Sequence, residues 1–129
     1  MIKKRKILIV VANYYRSISR SLLNSAKKSL MKTFKIEVKT VPGIFEIPVV
    51  ISKNIKKFDG FVALGCVIKG ETPHFDFISK ATIEEIMRLS VKNKKPIGNG
   101  IITCLNMKQA AERKNKGEEA ANAVNSVLD

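Results

Sequence analysis

Strand and helix signals alternate along the 129 residues, and that alternation predicts an α/β fold: a three-layer sandwich with a central four-stranded parallel sheet and helices on both faces. Three observations carry the expectation. Apolar, β-branched runs such as "KILIVVA" lack polar alternation, as strands covered on both faces require. Segments with helical periodicity separate these runs, and a crossover of that length joins parallel neighbours. The 45% hydrophobic fraction contains 6% aromatics and no tryptophan, so aliphatic packing of helices on a sheet fits better than a sandwich filled by large rings. The length suits one compact domain, residues 1–129.

The first strand is followed by "SISRSLLNSAKKSLMKTF", where Ile18, Leu22, Leu23, Ala26, Leu30 and Phe34 recur at helical spacing and Ser17 or Ser19 is expected to cap the start. A short alternating piece, "IEVKTV", reads as the second strand, with Pro42 and Gly43 as punctuation. "IFEIPVVISKNIKKF" then reads as a helix apolar on nearly every side. Such a helix asks for deep burial or a neighbouring subunit. Pro48 fits only in its first turn, where the missing N–H has no partner to lose. "FDGFVALGCVI" is the third strand, "HFDFISKATIEEIMRLSVKN" the third helix, and "KPIGNGIITCL" the fourth strand, opened by Pro96. The remainder reads as helical on both sides of Asn115, Lys116 and Gly117, with the glycine kinking or interrupting it. The strands are expected in the flavodoxin-like order 2-1-3-4.

Lysine and arginine number 24 against 11 acids, a formal charge of +13. A nucleic-acid binder gathers its cations on one face, because neutralising phosphates needs a continuous electropositive track. Here lysines are spread through every segment, so the charge reads as solvated helix faces with some attraction for small anions, and no nucleic acid is expected. Cys66 and Cys104 lie in strand runs without CxxC or Cys/His spacing and read as packing thiols; no metal site is expected. GxSxG, P-loop and GxGxxG motifs are absent. The apolar stretch Ile7 to Ala12 falls short of the roughly 7–15 residues of a signal-peptide core. No run approaches the roughly 20 residues of a membrane span, so a cytoplasmic protein without membrane contact is expected.

In open parallel sheets the ligand crevice lies beyond the carboxyl ends of the strands. That rule selects Asn13 to Arg16, Val41 to Glu46, Cys66 to His74, and Cys104 to Met107. Within the third of these, Thr72 and Pro73 read as an N-cap and first helical residue, which places His74, the chain's only histidine, in the first turn. Unpaired N–H groups and the positive end of the helix dipole favour phosphate or carboxylate there, and Gly70 lets the backbone approach closely. Glu71 must then turn its carboxylate away and offer only main-chain donors. The dipole disfavours imidazolium while a bound phosphate favours it, so His74 suits acid/base work as phosphate comes and goes. The plainer reading is a capping or surface histidine. The picture is a cofactor-free pocket that takes a phosphorylated small molecule and moves protons.

"VPGIFEIPVV" (41–50), "GCVIKGETPHFDF" (65–77) and "AERKNKG" (111–117) resemble, in order and at comparable spacing, the motifs of the lumazine synthase family, and the match covers nearly the whole chain. The resemblance implies condensation of 5-amino-6-(D-ribitylamino)uracil with 3,4-dihydroxy-2-butanone 4-phosphate to 6,7-dimethyl-8-ribityllumazine, phosphate and water, with no metal or redox cofactor. It implies that Tyr14 stacks on the pyrimidine, that Ile44, Phe45 and Glu46 hold the ribityl chain and ring, and that Cys66, Val67 and Ile68 face the pyrimidine through their main chain. It makes Glu71 and Thr72 a backbone phosphate cradle, His74 the proton-transfer residue, Arg113 the phosphate-binding arginine, and Lys116 a base near the same anion. It further implies a homo-pentamer in which Arg113 and residue 99 reach in from the adjacent subunit. Three departures stand out: Asn99 where many members carry phenylalanine, Lys69 for a frequent arginine, and a shorter connection from Arg113 to Lys116. Asn99 and that shortened segment motivate the alternative of a non-catalytic lumazine- or flavin-binding protein on the same scaffold.

Overall fold

The computed structural model describes residues 4–70 and 74–129. Parallel strands β1 (Lys6–Ala12), β2 (Lys35–Val41), β3 (Gly60–Ile68) and β4 (Ile97–Cys104) form one sheet in the order β2-β1-β3-β4. Between them run α1 (Arg16–Ser29), a 3-10 turn (Ile44–Glu46) leading into α2 (Ile47–Lys53), and α3 (His74–Asn93). After β4 come α4 (Met107–Glu112) and α5 (Lys116–Leu128). This is the three-layer sandwich and strand order that the sequence led us to expect.

The unbroken apolar run of β1 has a simple cause: β1 is central, with Ile9 in register with Val38 of β2 and Val62 of β3. Ile7, Ile9 and Val11 join the cluster under α1 and α5, whereas Leu8, Val10 and Ala12 join the one under α2 and α3. Burial of each larger aliphatic contributes about 1.5–3 kcal/mol relative to exposure. At the free edge, β2 exposes most of its residues and carries Lys35 and Lys39, charges that discourage pairing with stray strands.

Three expectations need correction. Neither Ser17 nor Ser19 caps α1, which starts after Tyr15 with no side-chain cap; Ser19 is buried and its hydroxyl donates to the Ala12 carbonyl at 2.5 Å. That bond ties the first turn of the helix to the end of β1. The same helix stops at Ser29, because Leu30 turns extended (φ −67°, ψ 143°), yet Leu30 and Phe34 still reach the α1–α5 cluster. The C-terminal helices separate at Arg113–Asn115, and Gly117 lies buried inside α5 rather than breaking it. The reason is close approach: a Cβ at Gly117 would collide with the Leu22 carbonyl of α1.

Pro48 does sit in the first turn of α2, with Ile47 and Ile51 facing inward. Outward, Phe45 in the 3-10 turn, Val49 on α2 and Phe77, Met87 and Val91 on α3 remain exposed. No helix among the described residues is long and apolar enough to cross a membrane.

Candidate active site

The carboxyl ends of β1 and β3, the 3-10 turn and the start of α3 enclose a cavity of about 330 Å³. It gathers six of the expected catalytic and substrate-binding residues, Tyr14, Ile44, Cys66, Val67, Ile68 and His74, together with Gly70. Gly65 makes the floor possible. A Cβ there would come within 2.7 Å of Ile44 Cγ2 and 3.2 Å of Ala12 Cβ, so only glycine lets the turn close over β3. His74 opens α3 and is exposed at the cavity wall. Glu71 and Thr72, with Pro73, lie outside the described residues.

Phe45 and Glu46 stand elsewhere. A 3-10 turn places successive side chains about 120° apart, so Ile44 points inward while Phe45 and Glu46 line an apolar groove between α2 and α3. The Glu46 carboxylate accepts a hydrogen bond from Gly43 N at 3.0 Å, and Glu46 N donates to the Gly43 carbonyl at 3.3 Å. The two bonds lock the turn that aims Ile44 at the cavity.

Burial, then the neighbouring Cys104 thiol, pushes the Cys66 thiol up to about 12. It is therefore neutral near pH 7 and is wall rather than nucleophile. Tyr15, Phe75 and Ile78 also line the cavity; Tyr15 fell within the selected stretch Asn13 to Arg16 without a role of its own, and Phe75 and Ile78 were not singled out. Tyr15 had a readable signal, since it is adjacent to Tyr14 and the chain has only two tyrosines. Burial, Tyr14 and Cys66, in that order, raise its phenol above the ordinary 10.

A second cavity, about 540 Å³, lies beside β4 and the α4–α5 junction and holds Asn99, Arg113 and Lys116. It shares no lining residue with the first. Arg113 Nη1 donates to the Thr103 carbonyl at 3.0 Å, which fixes one edge of the guanidinium. Lys116 Nζ lies 3.5 Å from Glu119 Oε1. The Asn99 side-chain oxygen accepts from Ile101 N at 3.1 Å on the outer edge of the sheet. His74 and the Arg113–Lys116 pair thus line separate cavities of one chain.

A family model described as 6,7-dimethyl-8-ribityllumazine synthase matches residues 4–129. The chain belongs to the lumazine synthase family. Among similar proteins, the 6,7-dimethyl-8-ribityllumazine synthase of Bartonella tribocorum (strain CIP 105476 / IBS 506) is 45% identical over 132 residues, covering 95% of this chain and 87% of that protein. That of Agrobacterium fabrum (strain C58 / ATCC 33970) is 40% identical over 139 residues, covering 98% and 94%. That of Corynebacterium kroppenstedtii is 39% identical over 124 residues, covering 89% and 77%. Lumazine synthase membership therefore extends over the elements that build both cavities, from β1 to α5. Among the described residues no group of three or more His, Cys, Asp or Glu is placed to hold a metal ion.

Proposed function

We propose that this chain catalyses formation of 6,7-dimethyl-8-ribityllumazine from 5-amino-6-(D-ribitylamino)uracil and 3,4-dihydroxy-2-butanone 4-phosphate, releasing phosphate and two waters. The observation that carries the reading is His74 at the head of α3 in a cavity at the strand ends, within a chain matched to the lumazine synthase family over residues 4–129. The pyrimidine lies against Tyr14 and the main chain of Cys66 to Ile68, with Ile44 beneath the ribityl chain. Glu46 acts from behind, by fixing the turn through Gly43. Glu71 and Thr72 cradle the phosphate through their backbone.

Every step moves protons. The substrate amine adds to the ketone and the adduct loses water to an imine; phosphate then leaves by elimination and ring closure expels the second water. His74 gives and takes these protons, while orientation supplies the remainder of the acceleration. Arg113 holds the phosphate through paired N–H donors, a geometry lysine cannot reproduce, and Lys116 adds charge near it.

Because the two halves occupy separate cavities of one chain, a working site joins the His74 cavity of one protomer to the Arg113, Lys116 and Asn99 cavity of its neighbour. The exposed apolar face of α2 and α3 supports such self-association, and a homo-pentamer is the assembly proposed. Incubation of the purified chain with both substrates should yield the lumazine chromophore, and a native mass should correspond to five copies of the 14.4 kDa chain. Absence of product with authentic substrates refutes the activity; a monomeric mass refutes the shared site.

A further inference from the structure

The chain's two tyrosines are neighbours, and both line the His74 cavity. They are held very differently. Tyr14 is 75% exposed, whereas Tyr15 is partly buried against the hydrophobic cluster beneath α1 and α5. Backbone bonding fixes Tyr15 further: it immediately precedes α1, and its carbonyl accepts the first-turn bond from Ser19 N at 2.9 Å. Its ring meets that of Tyr14 edge to face, with centroids 4.9 Å apart and planes at 77°. Pairs in this geometry attract beyond their shared buried area. A ring three-quarters in solvent otherwise has several staggered rotamers open to it, and contact with an anchored ring selects among them.

We propose that Tyr15 is a positioning residue for Tyr14, holding the exposed ring so that it presents a face to the planar heterocycle of the uracil substrate. The proposal rests on the stacking role given above to Tyr14. Its physical content is preorganisation: a ring already oriented loses less rotamer freedom when the substrate stacks on it. The effect is confined to the ring-bearing substrate, since the butanone phosphate has no flat face to stack.

Tyr15→Leu removes the ring and keeps apolar bulk, whereas Tyr15→Phe keeps the ring. Tyr15→Leu should raise KM for the uracil substrate about fivefold, with kcat and KM for the butanone phosphate changed less than about twofold. Tyr15→Phe should restore the unaltered values. In a Tyr14→Leu background, Tyr15→Leu should add nothing, because the residue it acts through is gone. Equal rises in both KM values, or full additivity of the two substitutions, overturns the proposal.

A second measurement needs neither turnover nor a folded Leu variant. With no tryptophan and only these two tyrosines, tyrosine circular dichroism reports this pair alone. Titrating the uracil substrate into the unaltered protein should change the tyrosine band, and Tyr15→Phe should show the same change; a band indifferent to saturating substrate overturns the pairing. If the unaltered chain forms no lumazine, the catalytic reading falls, and the titration still judges the tyrosines.

Discussion

The two cavities of this protomer differ in what builds them. The His74 cavity sits over central strands β1 and β3, is walled by Ile44, a neutral Cys66 thiol and a tyrosine pair, and has its depth set by Gly65. The Arg113 cavity lies at the β4 edge of the sheet, and its polar groups are braced locally, Arg113 on a strand carbonyl and Lys116 on Glu119. The difference teaches where each kind of chemistry is tolerated. Apolar walls around a few ring side chains can be built against a core, whereas cationic side chains are least costly at a solvated edge. The shared site proposed above follows from that separation, with the neighbouring protomer completing it.

The largest expected effect falls on the first cavity. His74→Ala should lower kcat about a hundredfold or more while leaving KM for the phosphate substrate within about threefold. A KM rise without loss of kcat would instead make His74 a binding residue. On the second cavity, Arg113→Lys should raise KM for the butanone phosphate about tenfold, since the charge stays and the paired donors go. Steady-state kinetics with each substrate varied in turn decides both.

Mixing the two lesions sharpens the contrast. His74→Ala and Arg113→Ala chains, dissociated and reassembled together, should regain activity in about a quarter of their sites, those pairing an intact histidine with an intact neighbouring arginine. No recovery would place both halves in one chain.

The smallest effect tests the wall. The Cys66 thiol is raised from 9 to about 12, so the unfolded chain loses this proton at lower pH than the folded one. Its contribution to stability is therefore fully present below about pH 9 and is lost as pH rises toward 12. Urea midpoints should fall across that window, and less so for Cys66→Ala.

Much of the fold was legible because burial on two faces leaves a signature that survives in one dimension: β1 and β3 read as strands from their unbroken apolar runs, and Pro48 read as a first-turn residue from its missing N–H. The misreadings share a cause. Ser19 has the residue type of a cap, but its hydroxyl is drawn to the Ala12 carbonyl, and Gly117 has the type of a breaker, but is glycine because α1 crosses there. Both are contacts between segments, which local spacing does not encode. His74, Arg113 and Asn99 were named from sequence and each lines a cavity, whereas Tyr15 was named only within the stretch Asn13 to Arg16, because its edge-to-face contact with Tyr14 is set by ring geometry.

The order of elements, the apolar periodicity and the residue types at the strand ends were determined by the sequence alone, because each is a property of neighbours along the chain. Only the tertiary structure decided that Phe45 and Glu46 face away from the cavity and that two rings meet edge to face. Those outcomes depend on direction and distance between segments, which are set when helices and strands pack and not before.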